Sequence, residues 1–267
     1  DSLKAVNPRL VYVSITGFGQ DGPYAHRAGY DYIIQGMSGL MDITGEPHRE
    51  PQKVGVAVVD LFTGVYASTA ILAALRQRDM TGEGSHIDMA LMDCAVAMLA
   101  NQAMNYLTSG ISPSRLGNAH PNIAPYQVFA VKDGHVIIAV GNDQQFRRFC
   151  QMLEADYVVE NTAYQTNSGR VASRVQLEAA LTPFMMMHTR SELLAKLEAA
   201  GVPAGPINRI SDVFNDLQVI HRGMRLELGA VSGVASPIVI NGARMVADGP
   251  SPKLGEGEAD FREQLRR

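Results

Sequence analysis

One carboxylate stands out by position. In "KVGVAVVDLFTGVYASTAILAALRQR", Lys53 to Arg78, Asp60 is the single acid between two apolar blocks. Two roles are open to it. An Asp ahead of a helical apolar pattern is a good N-cap, its oxygen accepting an otherwise orphaned backbone N–H. The same helix start stabilises an ionised carboxylate and keeps it available as a nucleophile, so the roles are compatible. Gly64, one turn further on, costs a helix about 1 kcal/mol relative to Ala and so requires a reason, such as the close approach of a ligand or a second helix.

Other residues with chemical potential sort quickly. His120 lies in the Gly- and Pro-bordered loop "GNAHPN", where a histidine makes either a loop hydrogen bond or a functional contact. Gly17, Gly19 and Gly22 match the spacing of the dinucleotide fingerprint, but Pro23 and the polar residues after it do not open a helix, so turn chemistry is the better account. The seven histidines include no HExxH pair, which argues against a zinc site. No Gly-x-Ser-x-Gly elbow is present, and Cys94 and Cys150 both sit in apolar helical runs as core thiols. The methionines of "FMMMH" (184–188) read as gap-filling core.

The elements that must position these groups alternate. "LVYVSIT" is a buried strand, "YIIQGMSGLMDIT" a helix, "VGVAVV" (54–59) a short strand or apolar approach, and "LFTGVYASTAILAALRQRD" a helix. "SHIDMALMD" is a strand, followed by a helix from about 93 to 108. That order predicts an α/β fold with a parallel sheet. Near Ser112 the texture turns to loop residues, marking a domain boundary. Beyond it, two β-rich runs flank Lys132-Asp133-Gly134 as a hairpin. Helices follow, including "SELLAKLEAAG" with Ser191 as its cap and Gly201 as its end, and "VASPIVINGARMV" is strand-like, which together make a compact α+β unit.

Composition bounds the function. The chain has 267 residues, 46% hydrophobic and 19% charged, with a formal net charge of -4 and no basic cluster, which favours small-molecule chemistry over nucleic acid. Two cysteines suit a reducing compartment, cytoplasmic or organelle-matrix. No uninterrupted apolar run of about 20 residues is seen, so no membrane contact is expected. The first strand has no lead-in, and a buried strand of this kind needs parallel neighbours, so the chain reads as a fragment of something longer.

Five ordered blocks carry more than spacing does: "ITGFGQDGPYAHRAGYDYIIQGMSGLM", "VGVAVVDLFTGVYASTAILAAL", "TGEGSHIDMALMD", "GNAHPNIAPYQVFAVKDGHVIIAVGNDQQF" and "AGVPAGPIN". Over nearly the whole chain they resemble the class III coenzyme A transferases, the CaiB/BaiF family, and within it the succinyl-CoA:dicarboxylate members of the succinate-hydroxymethylglutarate type. The resemblance implies a Rossmann-like large domain (1–112), a small α+β domain (113–222), a return to the large domain (223–267), and two subunits interlocked as a homodimer. It also implies a further N-terminal portion, including much of the CoA pocket.

For the site, the resemblance implies that Asp60 attacks an acyl-CoA thioester, with backbone N–H groups at its helix start stabilising the tetrahedral oxyanions. Tyr30 and Asp31 would line the active site, Gly64 would make room for the thioester, and Arg27 would meet a CoA phosphate. Gly117, Asn118 and His120 occupy the family's active-site loop. The departure of that loop from the polyglycine run of formyl-CoA enzymes puts oxalate specificity in doubt and leaves His120 free to contact the acceptor. Coenzyme A and small carboxylic acids would be substrates, with no tightly bound cofactor and no metal. Two alternatives stand beside this. An α-methylacyl-CoA racemase would carry a histidine at Tyr30, whose phenol, with a pKa of about 10, is a poor base near neutrality. A fragment without the CoA half could also bind or dimerise without activity.

Overall fold

The computed structural model describes residues 2–264. The chain falls into two compact units, one running to Gly205 and one from Pro206.

The first unit begins with α1 (Ser2–Val6) and β1 (Val11–Thr16), a β-branched run that pairs in parallel with β2 (Ser85–Ala90), Val11 opposite Ser85 and Thr16 opposite Ala90. The entry to β2 needs a glycine, because a Cβ on Gly84 would lie 2.0 Å from the Leu10 carbonyl oxygen. After β1 the backbone turns at Gly17, where a Cβ would come within 2.6 Å of the Gly29 Cα, so two chain segments cross glycine against glycine. Close packing thus accounts for Gly17 without a phosphate.

Between the strands lie α2 (Asp31–Met37) and α3 (Val58–Thr81). Helix α2 is shorter than the pattern predicts because Gly39, at φ +88°, turns the chain just beyond Ser38. Residues 54–59 form no strand. The Val54 N–H goes to the side chain of Gln35 rather than to a neighbouring strand, and Val58 and Val59 are already helical. After β2 come α4 (Leu91–Met98) and α5 (Ala100–Ser109), two helices where one was expected, broken where Ala100 adopts a φ of +45°. A small core joins them: Ile34, Val59, Leu91 and Ala95, with Phe18 packed alongside.

Strand β1 is less buried than its composition suggests, with Tyr12 and Ile15 exposed. Helix α3 buries Val59, Thr63, Ala67 and Ala74 on one side and exposes Leu61, Phe62, Val65, Tyr66 and Leu72 on the other. Its 24 residues, with a window of mean hydropathy 1.7, make it long and apolar enough to cross a membrane by length and composition. That corrects the expectation that no run reaches such a length; Asp60 and the interspersed Gly, Ser and Thr hide it when contiguous apolar residues alone are counted. Here α3 packs on β1, β2, α2 and α4.

A larger core follows within the same unit. Strands β3 (Tyr126–Val131) and β4 (Gly134–Ala139) form the expected hairpin, Val131 opposite Gly134, and β5 (Ala204–Pro206) extends the sheet beside β4. Around it lie α6 (Asp143–Met152), α7 (Asp156–Glu160), α8 (Asn167–Ala172), α9 (Arg174–Met185) and α10 (Arg190–Ala199). Phe129, Val136, Ile138, Phe149, Leu181 and Leu193 are among its buried side chains. Helix α10 is capped by Thr189 in a capping box with Glu192, not by Ser191, because the box spacing places the start two residues earlier. Of the methionine run only Met185 is core; Met186 and Met187 are exposed as α9 ends. Both cysteines are buried, and burial pushes the Cys150 thiol up to about 12, with Arg170 opposing the shift.

The second unit holds α11 (Ile210–Val213), α12 (Leu217–His221), the hairpins β6 (Arg225–Leu228) with β7 (Val231–Val234) and β8 (Val239–Ile240) with β9 (Ala243–Arg244), and α13 (Glu258–Gln264).

Among the described residues two buried side-chain atoms lack a hydrogen-bond partner, Arg78 Nε and the Thr63 hydroxyl. The Thr63 hydroxyl lies on the packed side of α3. Exchanging it for a methyl of the same shape removes an unpaired polar atom, so Thr63→Val is expected to stabilise the chain by about 1 kcal/mol, read as a shift in urea midpoint at unchanged slope.

Candidate active site

Asp60 does not cap its helix. It is the third residue of α3; the N-cap position belongs to Ala57, whose methyl offers no acceptor. The cap comes from a distance. Asp31, at the first position of α2, accepts the Val59 N–H on Oδ1 at 2.8 Å and the Asp60 N–H on the same atom at a longer 3.4 Å. Its Oδ2 receives Gln35 Nε2 at 2.6 Å, one turn along α2. Gln35 is fully buried and uses its other end as well, Oε1 accepting the Val54 N–H at 2.9 Å. The chain from Val54 to Asp60 is thereby fastened to α2 at both of its ends.

This network decides what each carboxylate can do. Asp31 spends both oxygens on the protein, which makes it a positioning group rather than a free base. Asp60, on the exposed first turn of α3, has no side-chain partner among the described residues. The helix-start N–H groups do not serve as expected. Val58 donates to Val56, Val59 to Asp31 and Leu61 to Ala57, so the donors proposed for tetrahedral oxyanions are already engaged.

Around this pair, Tyr30 takes the N-cap position of α2 in an extended conformation and is 73% exposed, its carbonyl accepting from Ile34. Gly64 faces open space; nothing lies within 4 Å of where its Cβ would be, so no protein neighbour demands a glycine there. Arg27 is exposed and lies over the Tyr24 ring at 4.0 Å.

Gly117, Asn118 and His120 belong to a second group, on the loop between α5 and β3. Gly117 takes φ +59° and donates to the Gly45 carbonyl, and a Cβ there would meet the Glu46 carboxylate at 3.1 Å. Arg115 straps the same loop to the turn after α2, donating to the carbonyls of Asp42 and Glu46 and pairing with the Asp42 carboxylate at 3.1 Å. Asn118 is exposed. His120 is half-buried, its ring 5.2 Å from that of Tyr126. Burial, and then the Arg174 guanidinium, hold its pKa below the ordinary histidine value. Asp31 thus touches the Asp60 backbone where α2 and α3 begin, with Tyr30 preceding Asp31 in the chain and Gly64 four residues beyond Asp60 on α3, while the histidine loop is joined to the end of α2 through the turn at 39–46. Among the described residues, no group of three or more His, Cys, Asp or Glu side chains is placed to hold a metal ion.

The family model of CoA-transferase family III matches residues 1–258. The chain belongs to CoA-transferase family III. Its relatives agree. A succinate–glutarate CoA-transferase of Agrobacterium fabrum is 51% identical over 270 residues, the match covering 99% of this chain and 68% of that protein. A succinyl-CoA:glutarate CoA-transferase of Mus musculus is 40% identical over 261 residues, covering 96% and 60%. The crystal structure of a CaiB/BaiF family protein from Brucella suis superposes with a TM-score of 0.84 at 55% identity, covering 99% of this chain and 70% of that one. The chain therefore spans between 60% and 70% of the length of these family III proteins. The mixed α/β architecture described above is the family's fold.

Gln35, Arg115 and Arg174 escaped the reading of the sequence. Only Gln35 left a trace, since it stands four residues after Asp31 on one helix face, the spacing at which an amide supports a carboxylate. Two outcomes test the site. Gln35→Leu orphans the part-buried Val54 N–H and removes a donor from Asp31, and should cost about 1–3 kcal/mol of stability in urea unfolding. Gly64→Ala relieves helix entropy with no clash, so it should stabilise the isolated chain by about 0.5–1 kcal/mol. Loss of CoA transfer in the same variant of the full-length protein would report a ligand seated against Gly64.

Proposed function

We propose that this chain carries the catalytic carboxylate of an enzyme that moves coenzyme A from succinyl-CoA to a dicarboxylic acid acceptor of the glutarate type. The observation that carries the reading is the contrast at the start of α3: a buried network holds Asp31 as the cap and leaves Asp60 exposed, unpaired and fixed in place. The names of the relatives supply the substrate class.

Each half-reaction balances. The Asp60 carboxylate attacks the thioester carbonyl of the donor, the C–S bond breaks, and the products are a mixed anhydride on Asp60 and CoA thiolate. The thiolate then attacks the aspartyl carbonyl, giving an aspartyl-CoA thioester and the free donor acid. The acceptor carboxylate attacks that thioester and expels the thiolate, which returns to the acceptor's acyl carbon, releasing acyl-CoA and regenerating Asp60. A carboxylate nucleophile suits this exchange because every intermediate has nearly the reactivity of the anhydride or thioester it replaces. Arg27 would pair with a CoA phosphate, and Tyr30 would border the acyl group. A tyrosine at that position gives a racemase no base matched to neutral pH. An interlocked homodimer supplying the remainder of the CoA pocket belongs to the same proposal.

Incubating the full-length protein with succinyl-CoA and then hydroxylamine or borohydride should modify Asp60, as mapped by peptide mass spectrometry, and Asp60→Ala should lower the exchange rate by at least about 10³-fold. Modification at any other residue, or transfer undiminished in the variant, would sink the assignment.

A further inference from the structure

The loop at 120–124 is held by side chains from α8 and α9. Arg174 donates to the carbonyls of Pro121 and Ile123, Asn167 donates to that of Asn122 and accepts the Ala124 N–H, and buried Arg170 donates to that of Ala124. The Asn122 side chain is bound in turn by Asn101 and Asn105 of α5. Inside this clamp one donor is spent on a histidine: the Asn122 N–H points at His120 Nδ1, 3.1 Å away.

A backbone N–H can only donate, so Nδ1 must offer its lone pair, and a neutral imidazole with Nδ1 as acceptor carries its hydrogen on Nε2. Turning the ring over would set a carbon against the N–H and lose the bond. Protonating Nδ1 would set two donors face to face, and the carbonyl anchors on either side keep the Asn122 N–H from swinging away. Burial and the charge of Arg174 work in the same direction. Nε2 has no partner among the described residues, and the helix-start N–H groups near Asp60 are already engaged.

Building on the transferase reading, we propose that His120 is a fixed hydrogen-bond donor, presenting Nε2–H to a carboxylate or thioester oxygen of the substrate, and is not a general base. Arg174 and Asn167 are its positioning residues, acting through the loop backbone.

The tautomer is directly measurable in full-length protein labelled with ¹⁵N-histidine. Long-range ¹H–¹⁵N correlation spectra at pH 7 should show the Nε2–H form, with a protonation midpoint below 6.5 that rises in Arg174→Gln. An Nδ1–H or doubly protonated ring at pH 7 would overturn the inference whatever reaction the enzyme performs, so its failure is separable from failure of the transferase reading. Succinyl-CoA and glutarate serve as the kinetic probe. His120→Gln, which keeps an amide donor, should retain most of kcat/KM, and His120→Ala should lose about 10- to 100-fold, the worth of one hydrogen bond to a charged group. A glutamine variant as impaired as the alanine one, with an acid limb in the wild-type rate at the histidine midpoint, would show a base instead.

Discussion

The bond from the Val59 N–H to Asp31 is the contact on which the arrangement of the site turns. Helix α3 begins after an apolar approach that offers no capping side chain, and an uncapped start leaves up to four backbone donors without partners. Asp31 answers this from another helix. Because it stands at the first position of α2, the positive ends of two helices converge on one carboxylate, which is where a negative charge is most stabilised. Gln35 then locks the carboxylate's orientation, and its own burial makes that lock costly to break, since its amide would lose partners out of reach of water.

From that joint the rest of the site is built outward. Helix α2 leads directly into the turn at 39–46, and that turn receives the histidine loop through Gly117 and Arg115. The loop's far end is held by Asn167, Arg170 and Arg174, which belong to the larger core. A displacement of α2 would therefore be felt at Asp60 through the cap and at His120 through the turn, although the two residues lie on separate elements. Arg170 illustrates how such a junction tolerates a buried charge. Its guanidinium is fully enclosed, yet it reaches two carbonyls and the Asp143 carboxylate at 2.8 Å and lies over the Phe146 ring. A buried cation is tolerated only with this degree of partnering.

Much of the scaffold was legible in the residues. The β-branched run ending at Thr16 and the Lys132-Asp133 turn each contain their own local cause and form where expected, and the alternation in "SHIDMALMD" forms a strand over its first six residues, Leu91 to Asp93 turning into α4 instead. The misreadings share a different origin. Asp60 has the right chemistry for an N-cap, and only a carboxylate 29 residues earlier takes the role from it. Residues 54–59 have strand composition, but their first N–H goes to a side chain on α2 rather than to a strand. Both outcomes depend on partners remote in sequence, which periodicity and capping rules do not see. The exposure of β1 and of one face of α3 is of the same kind, since a residue pattern reports what a surface could bury and not which neighbour covers it.

What separates Asp31 from Asp60 is the supply of lone pairs. A carboxylate has about four acceptor sites, and each hydrogen bond taken from the protein lowers its readiness to attack a carbonyl carbon while fixing it more firmly in space. Asp31 has given both oxygens to the backbone and to an amide, so it serves as an anchor. Asp60, next to the residue whose backbone N–H Asp31 holds at 2.8 Å, inherits the positional order of the same helix end without surrendering an oxygen to any described residue. Two acids of nearly identical intrinsic chemistry are thus assigned different work by their partners alone. Under the proposed transfer mechanism, a nucleophile that forms and releases an anhydride in every turnover draws on both halves of that division, rigidity supplied by a neighbour and lone pairs kept for the substrate.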